Sequence, residues 1–366
     1  MIGSGHNRLL KILHIDPEKH WGGGEAQVFG LLTYLIGKGH DNTLLSHPHG
    51  QLFERCRNLN VRKLPLRVRN DLDLSPLASL RRLIREEKYD IVHLHTKRAH
   101  ALSLWLPRGS HGPKYVVTRR MDYPEAKSWY TRHLYNRRVD GIVAISRPIA
   151  NLLVSAGVGP ERIRLIHSGI DPGPFEAIAS KTASSEDIPV VGTVAVLEER
   201  KGHRFLLEAA ARLKGQGYQI KYFLAGDGSL RGQLEGMAAR LRLQDQVKFF
   251  GFVSDTPAFL SKIDIFVLPS LYEGLGVAAL EAMAAGKAVV ATRVGGLAEA
   301  MVDSVTGFLV APRDAEALAQ AIAKLVSEKS LAREMGKRGA ARVREQFTLE
   351  QMAMKNEAYY YELLKD

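Results

Sequence analysis

Residues 265–285 of the chain read IFVLPSLYEGLGVAALEAMAA. The four apolar residues at 265–268 predict a buried strand, and the small and apolar residues at 276–285 predict a helix. The turn between them contains Gly274 and Gly276, which let the backbone approach a ligand closely. A strand, a glycine-containing turn and a helix in this order are typical of parallel α/β sheets.

The same alternation recurs along both halves of the chain. Apolar runs predict strands at 11–15, 42–45, 91–95, 115–118, 141–145, 189–197, 221–225, 247–249, 265–268 and 288–292. Amphipathic stretches between them predict helices at 26–37, 74–87, 147–156, 202–213, 230–241, 276–285 and 315–326. The pattern indicates an α/β protein with two Rossmann-like domains, at 1–172 and 187–347, whose parallel sheets face one another across a ligand-binding cleft.

The remaining segments are predicted from composition. Prolines and small residues indicate a linker at 173–186. A final helix at 348–366, with three consecutive tyrosines at 359–361, follows the second domain, and the first domain is one surface on which it can pack.

Composition narrows the class of protein. Of 366 residues, 45% are hydrophobic and 25% charged, as in a folded globular protein. Cys56 is the single cysteine, which excludes an internal disulfide framework and favours a reducing compartment. No run approaches the roughly 18 apolar residues of a membrane span. Because Lys11 interrupts the apolar run at 9–15, that run predicts a strand rather than a signal peptide. We therefore expect a soluble, cytoplasmic protein.

Positive charge is concentrated in one segment. The formal net charge is +12, and residues 97–139 hold ten Lys or Arg against two acids, which gives +8. Trp129, Tyr130 and Tyr135 lie in the same segment. Such a patch attracts nucleic acid, an anionic membrane face or an anionic substrate, although an ordinary solvated basic surface has the same composition.

Two carboxylates lie in the segment at 265–285. Glu273 falls in the turn, and Glu281 lies about one and a half turns into the helix among small and apolar residues. A carboxylate in such surroundings is seldom buried without a partner, and vicinal sugar or ribose hydroxyls suit it because it accepts two hydrogen bonds. The alternative is that Glu281 has no ligand and only interacts favourably with the helix dipole, because it lies in the N-terminal half of the helix.

A second glycine cluster, Gly22–Gly24, directly follows the first predicted strand and precedes a helix. The helix N-terminus offers N–H groups and positive potential to a phosphate or a developing negative charge. Many strand-to-helix turns are rich in glycine, so this cluster alone is weak evidence.

Glu273 and Glu281, separated by seven residues within Pro-Ser-x-x-Glu-Gly-x-Gly, resemble the signature of the large retaining glycosyltransferase family four. Further motifs of the same family span nearly the whole chain: DIVHLH at 90–95, VKFFGF at 247–252, DIFVLP at 264–269, GKAVVAT at 286–292, GGLAE at 295–299 and GFLV at 307–310. The resemblance implies the GT-B fold and a retaining transfer of sugar from a nucleotide-diphosphate donor.

The resemblance also implies roles for individual residues. His95, Lys201 and Glu273 are the predicted catalytic residues: His95 contacts the sugar or its developing charge, Lys201 neutralises the diphosphate and Glu273 holds the sugar. Glu281 binds the ribose hydroxyls of the donor. The other predicted donor-binding residues are Gly23, Gly24, Arg200, Gly226, Gly228, Phe252, Gly274, Leu275 and Gly276. The alternative for His93 and for His95 is a structural role as a hydrogen-bonded histidine of the core.

One position departs from the family pattern. The family places an arginine five residues before the lysine, and this chain has Val196 there. Arg200 or Arg204 is a candidate substitute, and the Gly22–Gly24 loop is another.

No metal and no cofactor are predicted, and the nucleotide sugar enters as a substrate. Residues 71–73 read Asp-Leu-Asp, but they lie far from a nucleotide-binding turn, and no His-Glu-x-x-His or Cys/His cluster is present. Lysine, helix N-termini and backbone amides can stabilise the leaving diphosphate instead.

The basic segment lies in the domain that the family uses for acceptors. We therefore expect an anionic lipid-linked or lipopolysaccharide-core glycan as acceptor, on the cytoplasmic face of the inner membrane. The predicted acceptor-binding residues are Glu25, Lys97, Arg98, Arg119 and Arg120. Nucleic acid is not expected, because Glu273 and Glu281 are poor neighbours for phosphate. A nucleotide-sugar epimerase of the same architecture and a non-catalytic sugar- or nucleotide-binding protein remain as alternatives.

Overall fold

The computed structural model describes residues 8–70, 73–109, 112–123, 127–179 and 188–365. The chain divides into two compact units, one of Met1–Gly169 with Leu349–Asp366 and the other of Ile170–Thr348. Of the predicted linker at 173–186, Gly173–Ala179 forms a helix of the second unit, and 180–186 lie outside the described residues.

The described part of the first unit contains a parallel sheet of seven strands in the order β3-β2-β1-β4-β5-β6-β7. Its chain order reverses between β1 and β4, which are hydrogen-bonded neighbours with His14 opposite His93. The strands are β1 Lys11–Asp16, β2 Asp41–Ser46, β3 Arg62–Pro65, β4 Ile91–Leu94, β5 Lys114–Arg119, β6 Gly141–Ala144 and β7 Ile163–Leu165.

Helices connect these strands, and the last helix of the chain joins the first unit. It packs against α1, and its Tyr359 and Tyr360 are buried in the same core cluster as Ile12, Ile91 and Val143. The helices of this unit are α1 Gly23–Gly37, α2 Gln51–Arg55, α3 Leu77–Glu87, α4 Lys97–Leu102, α5 Trp129–Arg137, α6 Arg147–Ser155 and the final helix α15 Leu349–Leu363.

The described part of the second unit contains a parallel sheet of six strands in the order β10-β9-β8-β11-β12-β13. Here the chain order reverses between the neighbours β8 and β11. The strands are β8 Val190–Val194, β9 Lys221–Ala225, β10 Val247–Gly251, β11 Ile265–Leu268, β12 Ala288–Thr292 and β13 Gly307–Val310. The helices are α7 Gly173–Ala179, α8 His203–Gly215, α9 Arg231–Arg240, α10 Thr256–Leu260, α11 Val277–Ala284, α12 Leu297–Ala300, α13 Ala315–Ser327 and α14 Lys329–Gln346.

The ten predicted strands are all present, and the predicted α/β fold class is confirmed. Three further strands, β3, β7 and β13, were not predicted, and each lies at the edge of its sheet. An edge strand is paired on one side only and tolerates charged residues, as in β3 (RKLP) and β7 (IRL). The apolar run GFLV of β13 was used only as a family motif. Both sheets reverse their chain order once, and ligands of open α/β sheets bind at the carboxyl ends of the strands beside such a reversal.

Candidate functional site

In the second unit, two predicted catalytic residues meet at the reversal point. Lys201 follows β8 in a short 3₁₀ turn, and Glu273 follows β11. The Lys201 Nζ atom lies 2.5 Å from Glu273 Oε2, and each side chain is 12% exposed. Ser270 Oγ donates a second hydrogen bond, of 3.1 Å, to the same carboxylate oxygen. Since an ammonium group has three N–H donors, one bond to Glu273 leaves donors for phosphate oxygens.

A glycine allows these two loops to touch. Gly202 has φ +65°, and a Cβ there would lie 2.0 Å from the carbonyl oxygen of Pro269. The backbone N–H of Leu271 donates to the carbonyl oxygen of Arg200 over 2.7 Å. A residue with a side chain at 202 would push the Lys201 and Glu273 loops apart, so Gly202 is a residue of the site that the sequence motifs missed.

Glu281 lies in α11 with no hydrogen-bonding or ionic partner among the described residues. Burial raises the pKa of its carboxyl to about 7, and desolvation is the cause. Leu280, Ala282 and Met283 around it in the helix are fully buried. A nearly buried carboxyl without a protein partner fits the predicted contact with ribose hydroxyls, because those hydroxyls would supply the missing hydrogen bonds.

The backbone before α11 is shaped by its glycines. Gly276 caps the helix with φ +88°, and a Cβ there would lie 2.3 Å from Leu297 Cδ2. The carbonyl oxygen of Gly274 accepts a hydrogen bond from the backbone N–H of Gly296. Leu275 is 1% exposed, so its side chain is buried and is not available to a ligand.

Three further predicted donor-binding residues, Gly226, Gly228 and Phe252, lie in the turns after β9 and β10. Gly226 has φ +134° and a Cβ there would lie 1.9 Å from the carbonyl oxygen of Ala195, while a Cβ on Gly228 would lie 2.6 Å from that of Leu197. Both glycines are therefore required by contacts with the segment after β8, whatever their role toward a ligand. Phe252 is 68% exposed.

The two arginines that were candidates to replace the family arginine are both ion-paired. Arg200 Nε lies 2.8 Å from Glu198 Oε2, and Arg204 Nε lies 3.7 Å from Glu208 Oε1. Val196 offers no charge of its own. Lys201 is thus the predicted diphosphate contact that the structure places beside Glu273.

In the first unit, the glycine loop and the basic residues after β5 come together. A Cβ on Gly24 would lie 3.5 Å from Arg120 Cδ, and Arg120 Nη1 donates to the carbonyl oxygen of His95 over 3.2 Å. Desolvation raises the pKa of Glu25 at the start of α1, although Arg120 and backbone N–H groups act in the opposite direction. Predicted donor-loop and acceptor residues therefore share one location at the carboxyl ends of β1, β4 and β5.

Asp16, the last residue of β1, is a member of this group that the sequence reasoning missed. It is 1% exposed, and burial, with a smaller contribution from Glu25, raises the pKa of its carboxyl to about 7. An acidic residue at the end of a buried strand, in the same strand-to-helix connection as the glycine loop, was the available signal.

His95 is 4% exposed and lies in a cluster of buried histidines. Its Nε2 atom is 3.0 Å from Nδ1 of His14, whose Nε2 is 3.1 Å from Asn42 Oδ1. The ring of His93 is 4.0 Å from that of His95, centroid to centroid, and its nitrogens bond to Tyr360 and Thr118. Burial lowers the pKa of His14 to about 4 and those of His93 and His95 well below the ordinary value. The three rings are therefore neutral near pH 7.

Three nitrogens of this cluster, one from each of His14, His93 and His95, lie within 4.8 Å of one another, so the cluster is the one among the described residues that has the donor set for a metal ion. Both nitrogens of His14 and of His93 already have hydrogen-bonding partners within the protein. The nearby Arg120 guanidinium also opposes a cation here.

The other predicted acceptor-binding residues lie close in sequence to these. Lys97 is exposed in the first turn of α4, and Arg98 Nη1 lies 3.3 Å from Glu18 Oε2. Arg119 is 9% exposed, and its Nη2 donates to the carbonyl oxygen of Tyr123. Arg119 is thus largely a buried structural residue.

A surface groove lies farther along the basic segment, and we call it the α5 groove. Trp129 is 70% exposed there and stacks on His133 with 5.0 Å between ring centroids. Its lining residues are Trp129, Arg132, His133, Asn136, Arg137, Gly157, Gly159, Glu161 and Arg162.

Across the described ranges, no helix combines the length and the apolarity that crossing a membrane requires.

Two Rossmann-like units in one chain, each with its polar cluster at the reversal point of a parallel sheet, form the GT-B architecture of glycosyltransferases. A glycosyltransferase from Rickettsia africae superposes with a TM-score of 0.85 at 24% identity, covering 99% of this chain and 100% of that one. Anabaena Alr3699/HepE, solved in complex with UDP and glucose, superposes with a TM-score of 0.81 at 22% identity, covering 96% of this chain and 100% of that one. At these identities the likeness establishes the fold.

Sequence similarity identifies the family. Residues 174–342 match the family described as Glycosyl transferases group 1, and residues 21–173 match Glycosyltransferase Family 4. The lipopolysaccharide core biosynthesis glycosyltransferase LpsE of Rhizobium meliloti is 33% identical over 354 residues, covering 93% of this chain and 96% of that protein. The chain belongs to the group 1 glycosyltransferase family and is a glycosyltransferase.

Proposed function

We propose that the protein transfers a sugar from a nucleotide-diphosphate sugar to an anionic lipid-linked or lipopolysaccharide-core glycan, with retention of the anomeric configuration and without a metal ion. The ion pair of Lys201 and Glu273 at the reversal point of the second sheet is the observation that carries this proposal. It combines a cation for a diphosphate with a carboxylate for sugar hydroxyls at one place.

The donor half of the proposal rests on the second unit. Breaking the bond between sugar and diphosphate leaves positive charge on the sugar and adds negative charge to the departing diphosphate. Lys201, which is only 12% exposed, would neutralise that diphosphate in a place where water screens little. Glu281 has no protein partner and would accept hydrogen bonds from the ribose. The complex of Alr3699/HepE with UDP and glucose supports a nucleotide-sugar donor for this fold.

The acceptor half rests on the first unit and on the relative LpsE. LpsE is named for lipopolysaccharide core biosynthesis, and cores of this kind carry anionic groups that would suit the basic segment at 97–139. In the α5 groove, Arg132 and Arg137 have no acidic partner among the described residues, and Trp129 offers an exposed ring for a membrane interface. We place the enzyme peripherally on the cytoplasmic face of the inner membrane.

The test is a transfer assay with purified full-length protein, UDP-, GDP- and ADP-sugars, and lipopolysaccharide-core acceptors, with EDTA present. We expect one class of donor to raise the melting temperature and to give a product whose NMR spectrum has the anomeric configuration of the donor. A free isomerised sugar formed without acceptor would indicate an epimerase. Nucleotide-sugar binding without any turnover would indicate a binding protein, and loss of transfer in EDTA would contradict metal independence.

A further inference from the structure

A chain of hydrogen bonds with defined directions ends at His95. The Asn42 Nδ2 atom donates to the carbonyl oxygen of His40 over 2.8 Å, which fixes the orientation of the Asn42 amide. Asn42 Oδ1 therefore faces His14 Nε2 at 3.1 Å. Because an amide oxygen can only accept, His14 Nε2 must carry the proton.

The direction of that bond determines the next one. A neutral imidazole has a single N–H group, so His14 Nδ1 carries a lone pair and accepts. The partner of His14 Nδ1 is His95 Nε2, at 3.0 Å, which must therefore donate. His95 then has its proton on Nε2 and an unprotonated Nδ1.

The second nitrogen of His95 is the one that remains for a ligand. His95 Nδ1 is a buried atom without a hydrogen-bonding partner in the described part of the chain, and so is Arg120 Nε. Both residues line one small cavity in the first unit, together with Gln27, Thr118 and Ser168. A hydroxyl group both donates and accepts, so it would satisfy the His95 acceptor and the Arg120 donor at once.

We infer that His14 and Asn42 are positioning residues that hold His95 in the Nε2–H tautomer, so that His95 Nδ1 is kept as a hydrogen-bond acceptor for a hydroxyl group of the substrate. His40, whose carbonyl oxygen begins this series of hydrogen bonds, is itself held by two further contacts. The backbone N–H of Leu10 donates to His40 Nδ1, and His40 Nε2 lies 2.8 Å from Glu357 Oε1 on α15. The binding of a substrate hydroxyl to His95 Nδ1 rests on the proposed glycosyl transfer. The tautomer of His95 does not depend on that proposal.

The tautomer is measured directly by two-bond ¹H–¹⁵N correlation spectra of the full-length protein labelled with ¹⁵N-histidine. We expect His95 to have a protonated Nε2 and an unprotonated Nδ1. His14→Phe keeps a ring but removes the acceptor, so the proton of His95 should redistribute toward Nδ1. His14→Asn places an amide oxygen near the former Nδ1 and should restore the Nε2–H form. His100 is a buried histidine that takes no part in these hydrogen bonds. The same change there, His100→Phe, should leave the His95 signals unchanged.

Kinetics provide the second measurement. With a transfer assay in hand, His14→Phe should lower kcat roughly tenfold with an unchanged donor KM, since a single misplaced proton-transfer or hydrogen-bonding group costs at least this much. His14→Asn should recover most of that loss. Equal kcat for the two variants would overturn the positioning role.

Two results would overturn the inference whatever the activity of the protein. One is a wild-type His95 protonated on Nδ1. The other is a stoichiometric metal ion, detected by elemental analysis, whose removal by a chelator shifts the His14, His93 and His95 nitrogens together. Absence of transfer from every donor, with the expected tautomer observed, would contradict the proposed function and leave the tautomer assignment standing.

Discussion

The carboxyl edges of the two sheets carry side chains of different electrostatic character. In the second unit, Lys201 and Glu273 form an ion pair, and Glu281 adds a carboxyl without a partner. In the first unit, the central side chains are histidines that burial keeps neutral, and their hydrogen bonds run through Asn42 and Tyr360. The same location in two similar sheets thus holds an ion pair in one case and, in the other, directed hydrogen bonds between neutral rings beside the Arg120 guanidinium.

This difference follows from what each site is proposed to bind. A diphosphate is best matched by fixed charge and backbone N–H groups. A sugar hydroxyl has no charge and is recognised by the placement of one donor and one acceptor. The variants below separate the two cases, because charge should matter most in the second unit and proton position in the first.

The largest effect is expected from removing the cation of the second unit. Lys201→Met should lower kcat with any nucleotide-sugar donor by roughly 100- to 1000-fold, because stabilisation of the leaving diphosphate is lost. Lys201→Arg keeps the charge and should lose less. Steady-state rates with the identified donor give the comparison.

Lys262→Met is the matched control, since Lys262 is an exposed lysine of the same unit whose ammonium group makes no hydrogen bond or ion pair with the described residues. It should retain the wild-type rate. Melting temperatures of all three variants separate loss of catalysis from loss of folding. A Lys201→Met enzyme with more than half of the wild-type rate would exclude the proposed role of this ion pair.

This charged site is the part of the molecule that local sequence predicts best. Glu273 and Glu281 lie on one strand-turn-helix unit, and Lys201 follows the other strand of the reversal point, so short motifs were sufficient. The contact made possible by Gly202 was not predicted, because it depends on the carbonyl oxygen of Pro269 in a distant loop. The roles of these residues toward a donor stay predictions.

The neutral site is the part that the sequence predicts poorly. Two-residue periodicity places His93 and His95 on one face of the strand predicted at 91–95, but their partners come from other strands and from the last helix. His14 is separated from His95 by 81 positions, and Tyr360 from His93 by 267. Only the register of β1 with β4 and the packing of α15 bring these groups together, and no local pattern encodes either.

A second, slightly smaller effect is expected in the stability of the protein. The Glu281 carboxyl has an ordinary pKa of 4.5, which burial raises to about 7. Between these values the folded chain holds a proton that the unfolded chain has lost, so stability falls as the pH rises and the loss is complete above about pH 7. The shift corresponds to about 3 kcal/mol.

Glu281→Gln removes this titration. We expect equal free energies of unfolding near pH 4.5 and a variant more stable by up to about 3 kcal/mol near pH 8, measured by urea denaturation. The titration of Asp16 occurs in both proteins and cancels in the difference. The variant should bind nucleotide about tenfold more weakly, since it loses a charge-assisted hydrogen bond. A pH-independent difference would contradict an ionisable carboxyl without a partner.

A third effect tests whether charge also acts in the first unit, at the α5 groove. Arg132→Gln with Arg137→Gln should weaken binding to vesicles that contain anionic lipid by about 2 kcal/mol, roughly 30-fold, at low salt. Vesicle co-sedimentation measures it. Arg333→Gln with Arg344→Gln changes the net charge equally in α14 of the second unit and should have little effect. Equal losses for the two pairs would mean that net charge alone is responsible, and equal binding to neutral vesicles would exclude the membrane contact.

The smallest effect concerns the neutral network itself. Tyr360→Phe removes the hydroxyl that lies 2.6 Å from His93 Nδ1 and leaves a buried nitrogen without its partner, which should cost about 1 kcal/mol of stability. Burial lowers the pKa of His93 well below its ordinary value and raises the pKa of the Tyr360 hydroxyl, so both groups are neutral near pH 7. The cost should therefore change little between about pH 6 and 8 or with salt. Tyr361→Phe, one residue further in α15, removes an exposed hydrogen bond to the carbonyl oxygen of Arg8 and should cost less. Urea denaturation of both variants tests this expectation. A strong dependence of the Tyr360→Phe cost on salt or pH would mean that a charge, such as that of the neighbouring Arg120, controls this hydrogen bond, and it would remove the contrast between the two units.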